Sequence, residues 1–420
     1  MAISQKNNGF ILTEISHLTI TIMKTFAKLA GASLLLFTLS ACDSDNSSES
    51  NKFTPIDLPA ATRGFVEDVN NFAFKLFPAV QSDWQDYQDN IVISPSSAFI
   101  AISMALNGQE EEILEPYIDF LTDGNRDIEA LNQFCNKLIV SLPNLDKKSA
   151  CKIANSIWTT PEQPLLTEFK QSMQENFGAE CFNSDFSLDN INEWLSTNTE
   201  GMINQPAGGV ISYPLFINTL YFKGEWAQKF DMADTHVSEF RNSDGSESMA
   251  YYMNQDLSAN VYEGEAFSMV SLPFGNSNFE MYFMLPNEDT SISEFISSLD
   301  ASSFDRAVSL MTSSNLSISL PRFTAKSALS FDRVLHSLGL PRFKTDAYIA
   351  DPRYPELILS QSTIITVDEK GASIASESDS AEYISPSPGF LTMKFDRPFV
   401  YILRESSTGT ILALGSINKI

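Results

Sequence analysis

Histidine and cysteine side chains are the best candidates for acid–base and nucleophilic chemistry, and this 420-residue chain has only three histidines and four cysteines. No two cysteines form a CxxC pair, so zinc and thioredoxin-like sites have no support. The sequence also lacks the GxSxG, HExxH, P-loop and GxGxxG motifs. The residues concerned are His17, His236, His336, Cys42, Cys135, Cys151 and Cys181. We therefore expect no enzymatic activity, no metal site and no cofactor.

Cys42 ends a pattern that is typical of bacterial export. From Met23 the sequence reads MKTFAKLAGASLLLFTLSAC, in which two lysines precede an apolar run too short to span a bilayer. Leu39-Ser-Ala-Cys42 is similar to a lipobox, where cleavage before the cysteine exposes it for acylation. An ordinary cleaved signal with a chance cysteine is the alternative. We expect a signal peptide at residues 1–42, with Met23 as an alternative initiator, and a lipid anchor on Cys42.

The residues after Cys42 are typical of a flexible tether. DSDNSSESN contains no apolar side chain, and we assign residues 43–62 to this tether. From Arg63 onward there is no linker, repeat or low-complexity stretch, which favours a single domain at residues 63–420. The expected location is the cell envelope, as a lipoprotein in an unspecified membrane leaflet, or the extracellular space after secretion.

Export would place the remaining cysteines in an oxidising compartment. Their spacing leaves two states open for Cys135, Cys151 and Cys181. Either one pair forms a disulfide and leaves one thiol over, or all three are buried as free thiols.

The charge of the chain argues against one class of partner. Its net charge is −26, from 27 basic and 53 acidic residues. This field repels phosphate backbones, so we expect no nucleic-acid binding. A hydrophobic content of 43% and an aromatic content of 11% are enough for a sizeable packed core. Collagen, coiled coil and extensive disorder are thereby excluded.

Periodic apolar residues predict helices in the first part of the chain and strands in the last. Helical spacing follows Arg63, Ser94-Pro95 is a helix start with Gly108 as its end, and Ser330 starts another helix that ends at Gly339. The helical positions after Arg63 are Phe65, Val69, Phe72, Leu76 and Phe77. Strands are predicted at 316–320, at 279–285 and in a terminal hairpin of 399–403 with 411–417. The fold class is therefore α+β.

Several motifs with long and unequal spacing occur in a fixed order. The longest runs from Asn218 to Trp226 as NTLYFKGEW and continues with Phe230, Thr235, Phe240, Gly245 and Met253. The others are Asn90–Ala98 (NIVISPSSA), Ala154–Trp158 (ANSIW), Ile191-Asn-x-Trp194 with Thr199-x-Gly201-x-Ile203, and Arg397-Pro-Phe399 with Gly409–Leu412 and Gly415. Together they resemble the serpin family along residues 63–420. An acidic ligand-binding envelope protein, unrelated to proteases, would require this order to be coincidence.

The resemblance implies a fold of three β-sheets and about nine helices with an exposed reactive loop at about 371–393. A serine protease, or alternatively a cysteine protease, cleaves this loop and is trapped as an acyl-enzyme when the loop inserts into the central sheet. The inhibitor would act as a monomer. The resemblance also assigns a shutter to Ser94, Ser96, Asn218 and Gln361 and a breach to Trp226. Gln361 stands where the family usually has histidine, which removes any titration there.

The segment before the loop decides whether insertion is permitted. Val367–Ser376 resembles the family's hinge, which assigns hinge roles to Glu369, Gly371, Ala372, Ser373, Ile374, Ala375 and Ser376. In an inserted strand one face would carry Ala372, Ile374, Ser376, Ser378 and Ser380, and the other would carry Ser373, Ala375, Glu377, Asp379 and Ala381. The first face has no charge and no proline, so it can be buried, whereas we expect the second towards solvent. Ile374 is bulkier than the family's usual residue and would slow insertion. This favours an inhibitor over a non-inhibitory serpin-fold binding or chaperone-like protein.

Counting within the loop assigns the reactive bond. The family's spacing from Glu369 gives Ser385, and counting back from Pro398 gives Ser387, but Pro386 or Pro388 would then follow the cleaved bond. We therefore assign Ile384–Ser385, which suits an elastase-like pocket. Tyr383–Ile384 is the alternative and suits a chymotrypsin-like pocket. Trypsin-like proteases are disfavoured because no Lys or Arg lies between Gly371 and Met393.

Overall fold

The structure is a computed structural model that describes residues 51–83, 90–122, 124, 127–184, 187–205, 214–350, 352, 357–372 and 389–420. The α-helices of these residues are α1 (Gly64–Asp83), α2 (Pro95–Leu106), α3 (Glu111–Thr122), α4 (Ile128–Ser141), α5 (Thr167–Phe177), α6 (Leu188–Asn198), α7 (Ile292–Ser298), α8 (Ala301–Ser309) and α9 (Phe331–Ser337).

The strands of the same residues are β1 (Ile91–Ile93), β2 (Ser149–Thr159), β3 (Glu180–Asn183), β4 (Leu215–Glu225), β5 (His236–Arg241), β6 (Glu247–Glu263), β7 (Phe267–Phe274), β8 (Phe279–Pro286), β9 (Thr312–Pro321), β10 (Phe323–Ser330), β11 (Ile358–Asp368), β12 (Gly371–Ala372), β13 (Leu391–Lys394), β14 (Phe399–Glu405) and β15 (Ile411–Ile417).

Six strands form a mixed sheet in the order β10-β11-β12-β4-β2-β3. β4 also pairs directly with β11, and this pairing is parallel, whereas β2 pairs with β4 antiparallel along nearly its whole length. One face of this sheet packs on the main core and the other packs on a second cluster under α6. Burial on both faces explains why β4 and β11 are almost continuously buried.

Nine strands form a second hydrogen-bonded network in the order β1-β15-β14-β8-β7-β6-β9-β13, with β5 on β6. The 17-residue strand β6 joins two portions of this network, because its end pairs with β7 while its earlier residues pair with β9 and β5. The described strands therefore form three sheet regions, two of which share β6. Together with the nine helices among the described residues, this confirms the expected α+β fold.

The local predictions are confirmed at the elements that surround the main core. Ser94 caps α2, since its side chain accepts a hydrogen bond from the backbone N–H of Ser97, and Pro95 occupies the first turn. The apolar positions predicted on the first helix are all buried in α1. β8 is covered on both faces, and β14 and β15 form the terminal antiparallel hairpin.

The predicted tether is too long. The compact unit of the chain begins at Asn51, and Ile56 and Leu58 are buried in its core. Residues 51–62 therefore belong to the domain, and the boundary expected at residue 63 is wrong. The polar composition of 43–51 concealed this, because the anchoring side chains Asn51 and Thr54 are themselves polar. The predicted signal peptide and the remainder of the tether lie outside the described residues.

Candidate functional site

The end of the predicted hinge lies between two strands of the six-stranded sheet. β4 and β11 pair directly over residues 215–220 and 358–363. Beyond this stretch β12 separates them and is antiparallel to both, with Ala372 opposite Val367 on β11 and Gly224 on β4. Ala372 is only 1% exposed. The sheet is therefore closed at one end and already holds two inserted residues at the other.

Gly371 is required at the turn into β12. Its φ is +145°, and a Cβ at this position would lie 1.8 Å from the carbonyl oxygen of Gly224. The carboxylate of Asp368 closes the turn, since its Oδ1 accepts hydrogen bonds from the backbone N–H groups of Lys370 at 2.8 Å and Gly371 at 3.2 Å. The close approach of two backbones thus explains glycine here.

A buried ion pair holds Glu369, which lies within this turn. Glu369 Oε1 lies 2.8 Å from Nε and 2.5 Å from Nη2 of Arg322, and Oε2 lies 2.9 Å from Nε. The hydroxyl of Thr235 donates to the same carboxylate at 2.5 Å. The Glu369 side chain is 3% exposed and that of Arg322 is 14% exposed. Arg322 also stacks over the ring of Tyr251, 5.4 Å from its centroid. We call these residues the hinge clamp.

Trp226 contacts the other side of the same turn. Its indole Nε1 donates to the carbonyl of Asp368 at 2.9 Å, and its backbone N–H donates to the carbonyl of Lys370 at 2.8 Å. The indole stacks on Phe274 with a centroid distance of 4.3 Å. Trp226 directly follows β4 and therefore links the end of this strand to the hinge and to β7. It is the residue to which the resemblance assigned the breach.

The four residues predicted as a shutter lie close together beneath the closed end of the sheet. Gln361 Nε2 donates to the carbonyl of Ser94 at 2.9 Å, and Gln361 Oε1 accepts from the Ser94 backbone N–H at 3.2 Å. The hydroxyls of Ser94 and Ser96 donate to the carbonyl of Leu412 at 2.6 Å and 3.3 Å. The amide of Gln361, which stands where the resembled family usually has histidine, thus makes two hydrogen bonds to Ser94 at once.

Asn218 connects this cluster to the neighbouring strand. Its Nδ2 donates to Asn155 Oδ1 at 2.7 Å, and its Oδ1 accepts from the hydroxyl of Ser97. Sequence reasoning missed Asn155 and Ser97 as site residues, although both lie inside matched motifs. A polar residue in the middle of a buried apolar strand was the available signal. Arg322 gave no such signal, because it lies 47 residues before Glu369 in the sequence.

The two faces of the sheet at the seam between β4 and β11 pack on different apolar clusters. Phe216, Leu220 and Phe222 face the main core, whereas Leu215 and Ile217 belong to the cluster under α6. The second face of the sheet is therefore covered at Leu215 and Ile217, whereas the loop residues predicted to face solvent after insertion lie outside the described residues. α6 covers this face because Trp194, Ile191 and Leu195 pack down on the sheet.

Three buried hydroxyls line this seam. Thr219 Oγ1, Ser360 Oγ and Thr363 Oγ1 have no hydrogen-bond partner among the described residues. Thr219 and Ser360 face α6, whereas Thr363 lies opposite Leu220 and faces the main core. Buried polar groups of this kind are uncommon in folded proteins and cost free energy while they are unpaired.

The remaining predicted site residues lie outside the described residues. They are Cys42, Ser373, Ile374, Ala375, Ser376, Tyr383, Ile384, Ser385, Pro386 and Ser387. The structure therefore places Glu369, Gly371 and Ala372 of the hinge, and the assignment of the reactive bond stays a prediction.

The cysteines and histidines of the described part form no shared site. Cys135, Cys151 and Cys181 are free thiols, and burial raises the pKa of Cys135 to about 12 and that of Cys181 to about 11. His236 is buried, which with the nearby Lys394 lowers its pKa, and His336 is exposed. No cluster of three metal-binding side chains occurs in the ranges described. Nor does any helix in those ranges have the length and apolarity needed to cross a membrane.

Comparisons with known proteins agree with this geometry. The family model for serpin (serine protease inhibitor) matches residues 67–420. Iripin-8 of Ixodes ricinus is 25% identical over 357 residues, 79% of this chain and 88% of that protein. Human glia-derived nexin is 25% identical over 358 residues, with the same coverage of both chains.

Solved structures show the same fold. The native state of the thermophilic serpin tengpin has a TM-score of 0.76 at 25% identity, covering 88% of this chain and 99% of that chain. Thyroxine-binding globulin in complex with thyroxine also has a TM-score of 0.76, at 18% identity, covering 84% and 98%. Because the family model matches most of the chain, the chain belongs to the serpin family.

Proposed function

We propose that this protein inhibits a serine endopeptidase by being cleaved in its reactive loop and trapping the protease as a covalent acyl-enzyme. The single observation that carries the proposal is β12, two residues that already separate β4 from β11. At that point the described residues already hold a short strand between two long ones, where a longer strand could continue. The alternative, a non-inhibitory serpin-fold binding or chaperone-like protein, would not require such an entry point.

The existing registers specify where an inserted loop would lie. Ala372 lies opposite Gly224 and Val367, and Leu220 lies opposite Thr363. If the loop continues in these registers, Ser376 falls between Leu220 and Thr363, in register with both strands at once. The inserted strand would then replace the direct pairing of β4 with β11 without a bulge. Ser378 would fall between Asn218 and Gln361, where polar groups are already present.

The unpaired hydroxyls at the seam support the same registers. In these registers Ser376 would lie opposite Thr363 on β11. Glu377 would lie opposite Thr219 on β4, and Asp379 would lie opposite Ser360 on β11. A hydroxyl that donates to a carboxylate makes a charge-assisted hydrogen bond. Insertion would therefore place polar groups beside hydroxyls that lack partners among the described residues, and it would also bring the carboxylates of Glu377 and Asp379 to the face that α6 covers.

The chemistry requires only the protease's own catalytic groups. The serine Oγ of the target attacks the carbonyl carbon of Ile384, and its proton passes through the protease histidine to the departing amine of Ser385. The peptide bond breaks and an ester to Ile384 forms. Strand insertion then displaces the attached protease and distorts its active site before water hydrolyses the ester. Inhibition is kinetic, because insertion must be faster than deacylation.

The loop sequence favours an elastase-like target, with a chymotrypsin-like protease as the alternative. Ile384 offers an aliphatic side chain to the primary pocket, and Tyr383 would offer an aromatic ring one residue earlier. The decisive assay incubates the protein with elastase-, chymotrypsin- and trypsin-like proteases and counts SDS-stable complexes per cleavage. Ile384→Asp should abolish elastase trapping and leave the melting temperature unchanged. Trapping of the trypsin-like enzyme alone, or cleavage without any complex, would contradict the proposal.

A pair of arginine substitutions tests insertion itself. Ala372→Arg places a charge in the main core at the first inserted position and should convert the inhibitor into a substrate. Ser373→Arg is the matched control. In the same register residue 373 would lie beside Lys223, whose side chain is 49% exposed. The measurement is the ratio of trapped to cleaved protein. Equal loss of trapping in both variants would contradict the predicted faces.

We further propose that the protein is exported and anchored to the cell envelope through acylated Cys42, and that it acts as a monomer with no nucleic-acid partner. The support is the basic and apolar sequence from Met23 to Leu39 and the lipobox-like Leu39–Cys42. Cys42→Ser should release the protein from membranes or block its maturation. If the variant fractionates with membranes as the wild type does, the anchor is wrong.

A further inference from the structure

The segment before α1 bonds to three separate turns of the domain. We call residues 51–58 the N-terminal strap. Asn51 Nδ2 donates to Asp146 Oδ1 at 2.6 Å, and Asn51 Oδ1 accepts from the Lys147 backbone at 3.0 Å. The strap thus begins at the loop that leads into β2, which starts three residues after Asp146 in the sequence.

The strap then crosses to the turns of the nine-stranded network. Thr54 and Asn278 exchange two hydrogen bonds, of 2.9 Å from the Thr54 backbone N–H and 2.6 Å to the Thr54 carbonyl. The backbone N–H of Ile56 donates to the hydroxyl of Ser407 at 2.8 Å. Asn278 lies in the turn between β7 and β8, and Ser407 lies in the turn between β14 and β15. The buried side chains of Ile56 and Leu58 complete the attachment.

Asp146 is the point where the strap meets the central sheet. Its carboxylate also accepts hydrogen bonds from Ser149 at 2.7 Å and from the backbone N–H of Asn276 at 3.3 Å. Burial alone would raise the pKa of Asp146, but the hydrogen bonds from Lys148, Asn51, Ser149 and Asn276 hold it below its usual value. The carbonyl of Lys148 accepts from Glu225 at 3.1 Å, at the end of β4 where β12 enters.

Insertion of the loop would move β2 and β4 relative to the turns to which the strap is bonded. A new strand between β4 and β11 must separate them by about 4.8 Å. β2 moves with β4, because the two strands share a continuous ladder. β10 and β11 are held to the nine-stranded network, since Phe323 of β10 packs on Phe399 and Tyr401 of β14. The C-terminal end of β4 is itself held to this network, since the Glu225 carbonyl accepts a hydrogen bond from the Gly275 backbone N–H at 2.8 Å and Trp226 stacks on Phe274. The strap adds to these attachments. If this end of β4 leaves the network with β2, the hydrogen bonds of the strap must break, because they cannot stretch by such a distance.

We propose that the N-terminal strap, through Asn51 and Asp146, restrains the start of β2 and the paired end of β4, and so limits how far the hinge inserts before cleavage. This inference rests on the proposed function, because it concerns the same insertion step. The strap keeps the native state from converting spontaneously into a loop-inserted state. It also sets the point from which insertion starts after the loop has been cut.

The test compares Asn51→Ala with Asn144→Ala in the full chain. Asn51→Ala removes the bonds to Asp146 and Lys147, whereas Asn144 bonds only to the Val140 carbonyl of its own helical segment and serves as the matched control. Hydrogen exchange at the Glu225 amide and the rate of heat-induced conversion to the urea-resistant form are measured. We expect both to rise by about tenfold in Asn51→Ala and to stay unchanged in the control.

A second variant and a second measurement separate the possible failures. Asn278→Ala removes the two bonds to Thr54 and should act in the same direction as Asn51→Ala. If exchange at Glu225 is within twofold of wild type in both strap variants, the strap has no such role. The proposed function is tested independently by the melting temperature of loop-cleaved wild type. If cleavage does not raise it, the insertion mechanism fails whatever the exchange data show.

Discussion

Breaking the hinge clamp should destabilise the intact protein measurably. Glu369→Gln keeps the size of the side chain but leaves Arg322 without its carboxylate in a site where the two side chains are 14% and 3% exposed. Removing one partner of a buried ion pair costs about 3–5 kcal/mol. The amide oxygen retains one hydrogen bond and the Tyr251 ring still contacts the cation, so we expect about 2–3 kcal/mol.

The assay is the urea midpoint of the intact protein, with the melting temperature as a second probe. A loss of this size lowers the melting temperature by about 3–4 °C in a domain of several hundred residues. Lys229→Gln is the control, because its pair with Glu225 is about half exposed on both sides and should contribute about 0–1 kcal/mol.

A double-mutant cycle isolates the interaction itself. Arg322→Met combined with Glu369→Gln removes both charges, and the double variant should be more stable than the sum of the single losses predicts by about 1–3 kcal/mol. If Glu369→Gln melts within one degree of Lys229→Gln, the reasoning about a buried, desolvated clamp is refuted. The same conclusion would follow from additive losses in the cycle.

Three further predictions concern the site. Gly371→Ala should expel β12, because its Cβ would lie 1.8 Å from a backbone oxygen, and should at least triple hydrogen exchange at Ala372. Asn218→Ala should cost about 1–3 kcal/mol in urea unfolding, since it removes the donor to Asn155 Oδ1 and the acceptor of the Ser97 hydroxyl. His236 has a lowered pKa in the fold, so its contribution to stability is present above about pH 6.5 and is lost as the pH falls towards the folded value. His236→Gln should therefore flatten the melting temperature between pH 5 and 7.

Controls for these three predictions are available in the same chain. Gly389→Ala also changes a glycine with positive φ, but an added Cβ there has no atom within 4 Å, so it should leave exchange at Ala372 unchanged. Asn144→Ala removes an exposed amide and should cost less than about 0.5 kcal/mol. His336→Gln is the control for His236→Gln, because it makes the same substitution at an exposed histidine. A control that behaves like its partner variant would contradict the corresponding argument.

The sequence was most informative where the local pattern and the tertiary environment agree. The capped start of α2 at Ser94 and the doubly buried strand β8 follow from residue type and period alone. The long-range contacts do not. Arg322 lies between β9 and β10 and Glu369 directly follows β11, and only the pairing of β10 with β11 brings them together in the clamp. The strap was missed for a related reason, since a polar segment can be flexible or can bond to the backbone of a fold, and composition does not distinguish these two outcomes.

The two residues of β12 also bear on how insertion begins. Ordering the first residues of a new strand normally costs backbone entropy before hydrogen bonds compensate for it. In this protein Gly371 and Ala372 already have neighbours on both sides, so under the proposed function that nucleation step would precede the encounter with a protease. After cleavage the strand would grow by elongation alone, one residue pair at a time. The time available to the protease for escape would then depend on the separation of β4 from β11, with no lag for nucleation.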